Sequence, residues 1–190
     1  MISGRMQGGI ELNRVLVIGG CGSGKTRFAK RLAAATGLPL THLDVLYWTG
    51  NWETVPREVF DERLAAVLAR DRWIIDGNYS RTMERRMQRA DTVFWFDFPG
   101  IVCLRGVVGR TLSGWGKTRD DMGGDCRERL DREKLRFFHT TLWQNRKLRP
   151  KIRALLDGFP AMETVIFRSR READLYLKRL EEAGHDVGRA

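Results

Sequence analysis

An unbroken apolar run, Val15-Leu16-Val17-Ile18, passes straight into Gly19-Gly20-Cys21-Gly22-Ser23-Gly24-Lys25-Thr26. No other feature of the chain narrows its fold as much. The apolar run reads as a strand buried on both faces, and residues 25–36 carry a helical pattern that Gly37 stops. A buried strand, a glycine turn and a helix, in that order, begin a β-α-β unit whose next strand runs parallel to the first.

The pattern recurs along the chain. "LPLTHLD" reads as a second strand ending near Asp44, followed by aromatic-rich "LYWTGNW" and a helix opened by Thr54-Val55-Pro56, with Thr54 as its cap. "RWIID" is a third strand running into Gly77, "TVFWFDF" a fourth stopped by Pro99, and "ETVIF", residues 163–167, a fifth. Helical segments separate every pair. The expected fold class is therefore α/β, three-layered, with a five-stranded parallel sheet and helices on both faces. One domain over residues 1–190, with a loose start at 1–12, accounts for the whole chain.

The 190 residues, 42% of them hydrophobic, can bury a core without a disulfide or metal staple. Cys21, Cys103 and Cys126 form no CxxC pair and read as reduced thiols. No window approaches the ~18 uninterrupted apolar residues of a membrane span, and "MISGRMQGGIELNR" lacks the apolar core of a secretory signal. A cytoplasmic protein without a membrane partner is the expectation.

The glycine turn fits G-x-x-x-x-G-K-[ST] and stands between a strand and a helix, the context in which that motif holds phosphate. Backbone N–H groups across Gly19, Gly20, Cys21, Gly22, Ser23, Gly24, Lys25 and Thr26 can surround phosphate oxygens, helped by the positive end of the helix dipole. The cofactors expected are ATP and Mg²⁺, with Lys25 on the β- and γ-phosphates and the Thr26 hydroxyl on the metal.

Ligand groups of a parallel sheet gather at the carboxyl ends of its strands. Asp76 is there and can hold Mg²⁺ if the third strand neighbours the first; otherwise it is a turn aspartate beside Gly77. Asp44 can orient an acceptor hydroxyl and take its proton, or can cap the following helix. An acceptor that is already a phosphate would need arginines instead, and Arg81 and Arg85 follow the third strand. Tyr47, Trp48, Trp52 and Tyr79 can wall a base or sugar, or can be core. His42 and His139 show no partner pattern and read as structural.

Net charge is +10, and residues 105–153 carry 14 Lys and Arg against 6 Asp and Glu. That segment includes "SGWGKTRDDMGGDC", too glycine-rich and charged for core, so a mobile lid over approximately residues 113–130 is expected beside the alternative of a surface insertion.

"IIDGNYSRT" resembles the strand-Asp-Gly-aromatic-Pro-Arg signature of adenylate kinases, with Asn78-Tyr79-Ser80-Arg81 in place of the aromatic, proline and arginine. "HLDVLYW", "WIIDGNY", "ADTVFWFDFP" and "GKTRDDM" followed by "CRERLD" resemble recurring segments of bacterial FlaR-type topology modulation proteins, a group related to adenylate kinases. These resemblances imply the P-loop NTPase fold of the nucleoside-monophosphate-kinase type and ATP binding. Similarity to adenylate kinases also makes Arg110, before the lid, and Arg119, within it, the arginines that close on the phosphates, with Asn78 beside the acceptor. Arg127, Arg129 and Arg132 are further candidates.

The leading expectation is a phosphotransferase moving the γ-phosphoryl of ATP to a small acceptor, a nucleotide or nucleoside-like molecule. Nucleotide-gated DNA binding is the competing class, motivated by the charge and the family label. The chain has no helix-turn-helix, zinc finger or stacked-aromatic motif to support it, so nucleic acid is a possible partner and not the favoured one. Bare nucleotide hydrolysis coupled to a partner is weaker still, because no Glu or Gln is poised to activate water.

Overall fold

The computed structural model describes residues 12–114, 122–124 and 132–187. Five strands, β1 (Arg14–Gly19), β2 (Leu40–His42), β3 (Trp73–Asp76), β4 (Thr92–Phe96) and β5 (Glu163–Phe167), form one sheet in the order β2-β3-β1-β4-β5. Every neighbouring pair is parallel. The three central strands are apolar on both faces because both are covered, which is why their sequences run without polar alternation.

The sheet is packed from both sides by helices. On one face α1 (Lys25–Thr36) and α7 (Arg170–Val187) cover Val15, Val17, Ile74, Phe94 and Phe96. On the other, α3 (Arg57–Leu68), α4 (Met83–Met87) and α6 (Arg132–Asp157) bury Leu16, Ile18, Ile75, Val93 and Trp95. Residues of opposite parity on β1 feed the two cores, as a period of two requires. α2 (Leu43–Tyr47) and α5 (Gly100–Ser113) leave the carboxyl ends of β2 and β4, where the candidate site lies.

Several boundaries differ from the sequence reading. β2 stops at His42, and Asp44 lies in the first turn of α2 instead of ending the strand. His42 is the N-cap of α2 and no side chain caps it, so Asp44 does not cap that helix either. Thr54 does not cap α3, whose N-cap is Pro56; it pairs with Trp48 across an antiparallel bridge that closes the aromatic turn. β4 ends at Phe96, two residues short of the apolar run, and releases Asp97. Of the expected lid, residues 115–121 and 125–131 lie outside the described residues, and with them Arg119, Arg127 and Arg129.

Asp97 ties the β4–β5 side together. It is 3% exposed and accepts from Arg149 Nε of α6 at 2.6 Å and from Arg168 Nη1 just past β5. Arg153 stands 3.9 Å away. A buried carboxylate held by charge-assisted bonds from two elements fixes α6 against the end of the sheet.

Candidate active site

β1 delivers the glycine loop to the centre of the sheet, and α1 starts from Gly24, in the left-handed region at φ 98. No side chain caps α1 and its first turn has no acidic residue, so its orphan N–H groups and positive dipole end remain available to an anion. A Cβ on Gly22, whose φ is 78, would stand 2.2 Å from the Cys103 carbonyl oxygen, so only glycine lets α5 lie directly on the loop. From the other side Arg170, the first residue of α7, donates to the Gly22 carbonyl at 2.8 Å and the Ser23 carbonyl at 3.4 Å.

Lys25 opens α1 within electrostatic reach of four other residues. Burial alone would lower its pKa; the Asp76 carboxylate, then Cys21 and Asp44, outweigh that and hold it raised, against a smaller opposing effect of Arg110. The ammonium is therefore fully charged at neutral pH. Each of these four residues lies near enough to act on the Lys25 charge. Arg110 lies in the last turn of α5, just before the lid segment in sequence.

Asp76 ends β3 in register with Val17, the neighbourhood that an Mg²⁺ ligand requires. It is 5% exposed; its Oδ2 lies 2.9 Å from His42 Nδ1, while Oδ1 has no hydrogen-bond partner among the described residues. The Ser23 hydroxyl in the loop is likewise buried and unpartnered. Buried polar atoms left this way ask for a partner. Asp76, with one oxygen open, and Thr26, in the first turn of α1, form an all-oxygen donor set that suits Mg²⁺.

The β3–α4 turn joins the two halves of the site. The Gly19 N–H donates to Asn78 Oδ1 at 2.8 Å and Asn78 Nδ2 donates to the Gly19 carbonyl at 2.6 Å. Asn78 thus spends its amide on the first glycine of the phosphate loop, a different use from the acceptor contact implied by resemblance. Tyr79, at φ 33, donates its hydroxyl to Asp44 Oδ1 at 2.8 Å. Burial first, and then the Asp44 carboxylate, raises the Tyr79 pKa, so the phenol keeps its proton and Asp44 stays the acceptor of that bond.

The aromatic residues form one connected cluster. Tyr79 stacks on Phe60 at 5.3 Å and meets Tyr47 edge-on at 5.1 Å; Tyr47 meets Trp48, and Trp48 meets Trp52. Gly123 and Gly124, from the described piece of the lid segment, lie against this turn. A Cβ on Gly123 would stand 1.8 Å from the Trp48 carbonyl oxygen.

The two arginines assigned to a phosphate acceptor are used elsewhere. Arg81 makes a two-pronged ion pair with Asp61 of α3, at 2.5 and 2.9 Å, over the face of Phe60. Arg85 is exposed on α4, where it lines a surface groove with Ala65, Leu68 and Ala69 and its charge still reaches Asp61. Sequence reasoning missed Asp61, Arg170, Arg86 and the contact of His42 with Asp76. Only His42 had a local signal, its position two residues before Asp44.

No family model and no curated protein matches this chain. Among solved structures, a shikimate kinase from Bacteroides thetaiotaomicron matches with a TM-score of 0.51 at 18% identity, covering 90% of this chain and 98% of its own. A protein provisionally described as a kinase, from Chloroflexus aurantiacus, matches with a TM-score of 0.50 at 13% identity and the same coverage of 90% and 98%. At such identities the likeness concerns the fold alone: the chain has an α/β P-loop NTPase fold, built on its five-stranded parallel sheet. Among the described residues no helix is long and apolar enough to cross a membrane.

Proposed function

We propose that this protein is an ATP- and Mg²⁺-dependent phosphotransferase that moves the γ-phosphoryl group to a hydroxyl of a small, nucleoside-like acceptor. The observation that carries the proposal is the pair of carboxylates at the strand ends beside the uncapped start of α1: Asp76, with Oδ1 unpartnered among the described residues, and Asp44, held by the Tyr79 hydroxyl. A glycine loop alone would account for nucleotide binding; a carboxylate beside it, outside the metal pair, supports transfer.

In this reading the loop N–H groups and Lys25 hold the phosphates, and Arg110, at the end of α5, adds positive charge beside them. Thr26 and Asp76 would hold Mg²⁺, which when bound supplies charge neutralisation between the β- and γ-phosphates. Asp44, oriented by the Tyr79 hydroxyl, presents its remaining oxygen to the acceptor hydroxyl and takes its proton as the bond to phosphorus forms. The acceptor oxygen attacks in line, the bond from the γ-phosphorus to the bridging oxygen breaks, and ADP leaves.

A hydroxyl is favoured over a phosphate acceptor because Arg81 is already paired with Asp61, while Asp44 is held by Tyr79 with its second oxygen left for an acceptor. The relation to adenylate kinases and to FlaR-type proteins belongs to this proposal as ancestry of the motifs and assigns no acceptor. The test is ADP formation from Mg-ATP with separate pools of nucleosides, polyols and nucleoside monophosphates. Stimulation by a hydroxyl pool, lost in Asp44→Asn and retained in Arg81→Ala, supports the reading. Stimulation by monophosphates that Arg81→Ala abolishes would transfer the acceptor to the phosphate class.

A further inference from the structure

Arg86 is fully buried on α4, yet the proposed chemistry does not use it. Among the described residues it has no carboxylate partner. Its guanidinium instead donates to backbone carbonyls: Nη1 to Gly77 at 3.0 Å, Nη2 to Asn78 and to Tyr79 at 3.0 Å, and Nε to Thr82 at 3.3 Å. Three consecutive carbonyls of the β3–α4 turn therefore point inward at one cation. Burial lowers its pKa to about 9, which leaves it charged at neutral pH.

A lone buried cation is costly to keep, and an apolar residue could fill the space at less expense. What the cation does here is fold the turn around itself. With the carbonyls of residues 77–79 directed inward, the Asn78 side chain is presented to Gly19 and the Tyr79 hydroxyl to Asp44. Tyr79 sits at φ 33, a conformation unfavourable for a residue with a Cβ that persists only when surrounding bonds enforce it. The Arg86 bonds on either side of Tyr79 are such an enforcement.

We propose that Arg86 is a positioning residue that sets the phosphate loop, through Asn78, and the acceptor carboxylate, through Tyr79, from one buried point. It acts on the nucleotide only through the turn, and it rests on the function proposed above. The coupling is physical: a single three-residue turn touches both halves of the site, so a change in its shape displaces both.

The test is a double-mutant cycle on nucleotide affinity. Mg-ADP binding is measured by calorimetry for the wild type, Arg86→Lys, Asn78→Ala and the double variant, with folding of each confirmed by circular dichroism at the assay temperature. Lysine keeps the charge but cannot reach several carbonyls with a planar fork; Arg86→Met serves as a second variant. Leu64→Ala, a core truncation on α3, controls for lost stability alone.

Each single variant should weaken binding by about tenfold, with the double variant within about twofold of the weaker single, because residues in one network are not additive. Leu64→Ala should bind as the wild type does. Wild-type affinity in Arg86→Lys, or losses that multiply to about a hundredfold in the double variant, would overturn the proposal. If the wild-type protein binds neither Mg-ATP nor Mg-ADP, the function proposed above falls first and this role falls with it.

Discussion

Gly106 and Gly109 lie one turn apart on α5, and replacing each by alanine should move stability in opposite directions. In an unobstructed helix interior alanine is favoured over glycine by about 0.8–1 kcal/mol. A Cβ on Gly109 would meet nothing within 4 Å, so Gly109→Ala keeps that gain. A Cβ on Gly106 would stand 2.0 Å from the Gly22 carbonyl oxygen and 2.5 Å from Arg170 Nη2. The arginine can swing aside. The carbonyl belongs to the phosphate loop, and either α5 or the loop must shift, which costs about 1–3 kcal/mol. Gly106→Ala should therefore be less stable than Gly109→Ala by about 1–3 kcal/mol, or roughly 3–10 °C in Tm for a domain of this size. Thermal melts read the difference, and Mg-ADP affinity should fall in Gly106→Ala alone. Equal stabilisation by both substitutions, with nucleotide affinity intact, would refute the claim that α5 braces the phosphate loop.

Asp97→Asn should cost about 2–3 kcal/mol in chemical denaturation, since charged hydrogen bonds to two arginines are weakened at a buried point. Tyr79 has its pKa raised above the ordinary value of 10.0, so its contribution is fully present below pH 10 and is lost as pH rises further, where the unfolded chain gives up the proton first. Tyr79→Phe should flatten the alkaline fall in stability between about pH 10 and 11, measured by denaturant titration. The Cys103 thiol is pushed up by burial, so its thiolate fraction is small. At pH 8 iodoacetamide followed by mass spectrometry should label Cys21 well before Cys103, which should react only in denaturant.

The β1–loop–α1 unit was legible in sequence because everything that builds it is local: an apolar run, glycines at left-handed positions and an uncapped helix start within twenty-odd residues. The five-stranded parallel sheet followed from the alternation of apolar runs with helical segments. Boundaries were less legible where a strand runs into a helix without a glycine. Leu43 continues the apolar pattern of β2 yet is the first residue of α2, so the position of Asp44 shifted from strand end to helix start. β4 was extended through Phe98 for a different reason: the buried Phe98 continues the apolar run past Asp97, although the strand has ended at Phe96.

The contacts that assemble the site left no comparable mark. Asn78 and Gly19 are 59 positions apart, and nothing at either position signals a two-way amide bond. Asp61 neutralises Arg81 from a different helix, which charge counting along the chain does not reveal. Arg86 is one basic residue in "ERRMQR", where helical spacing and composition favour a solvated side chain, but it is the one the core encloses. Burying an arginine against backbone carbonyls needs the tertiary turn to exist first.

In the function proposed above, the phosphate held at the start of α1 is passed on to an acceptor, with Lys25 as the group that stabilises it in transit. Its most direct test is acceptor-stimulated ADP formation from Mg-ATP by the wild type and by Lys25→Ala, with circular dichroism confirming that both are folded. A hydroxyl-bearing acceptor pool should stimulate the wild type, and the stimulation should be lost in Lys25→Ala. Turnover at the wild-type rate in folded Lys25→Ala would contradict it.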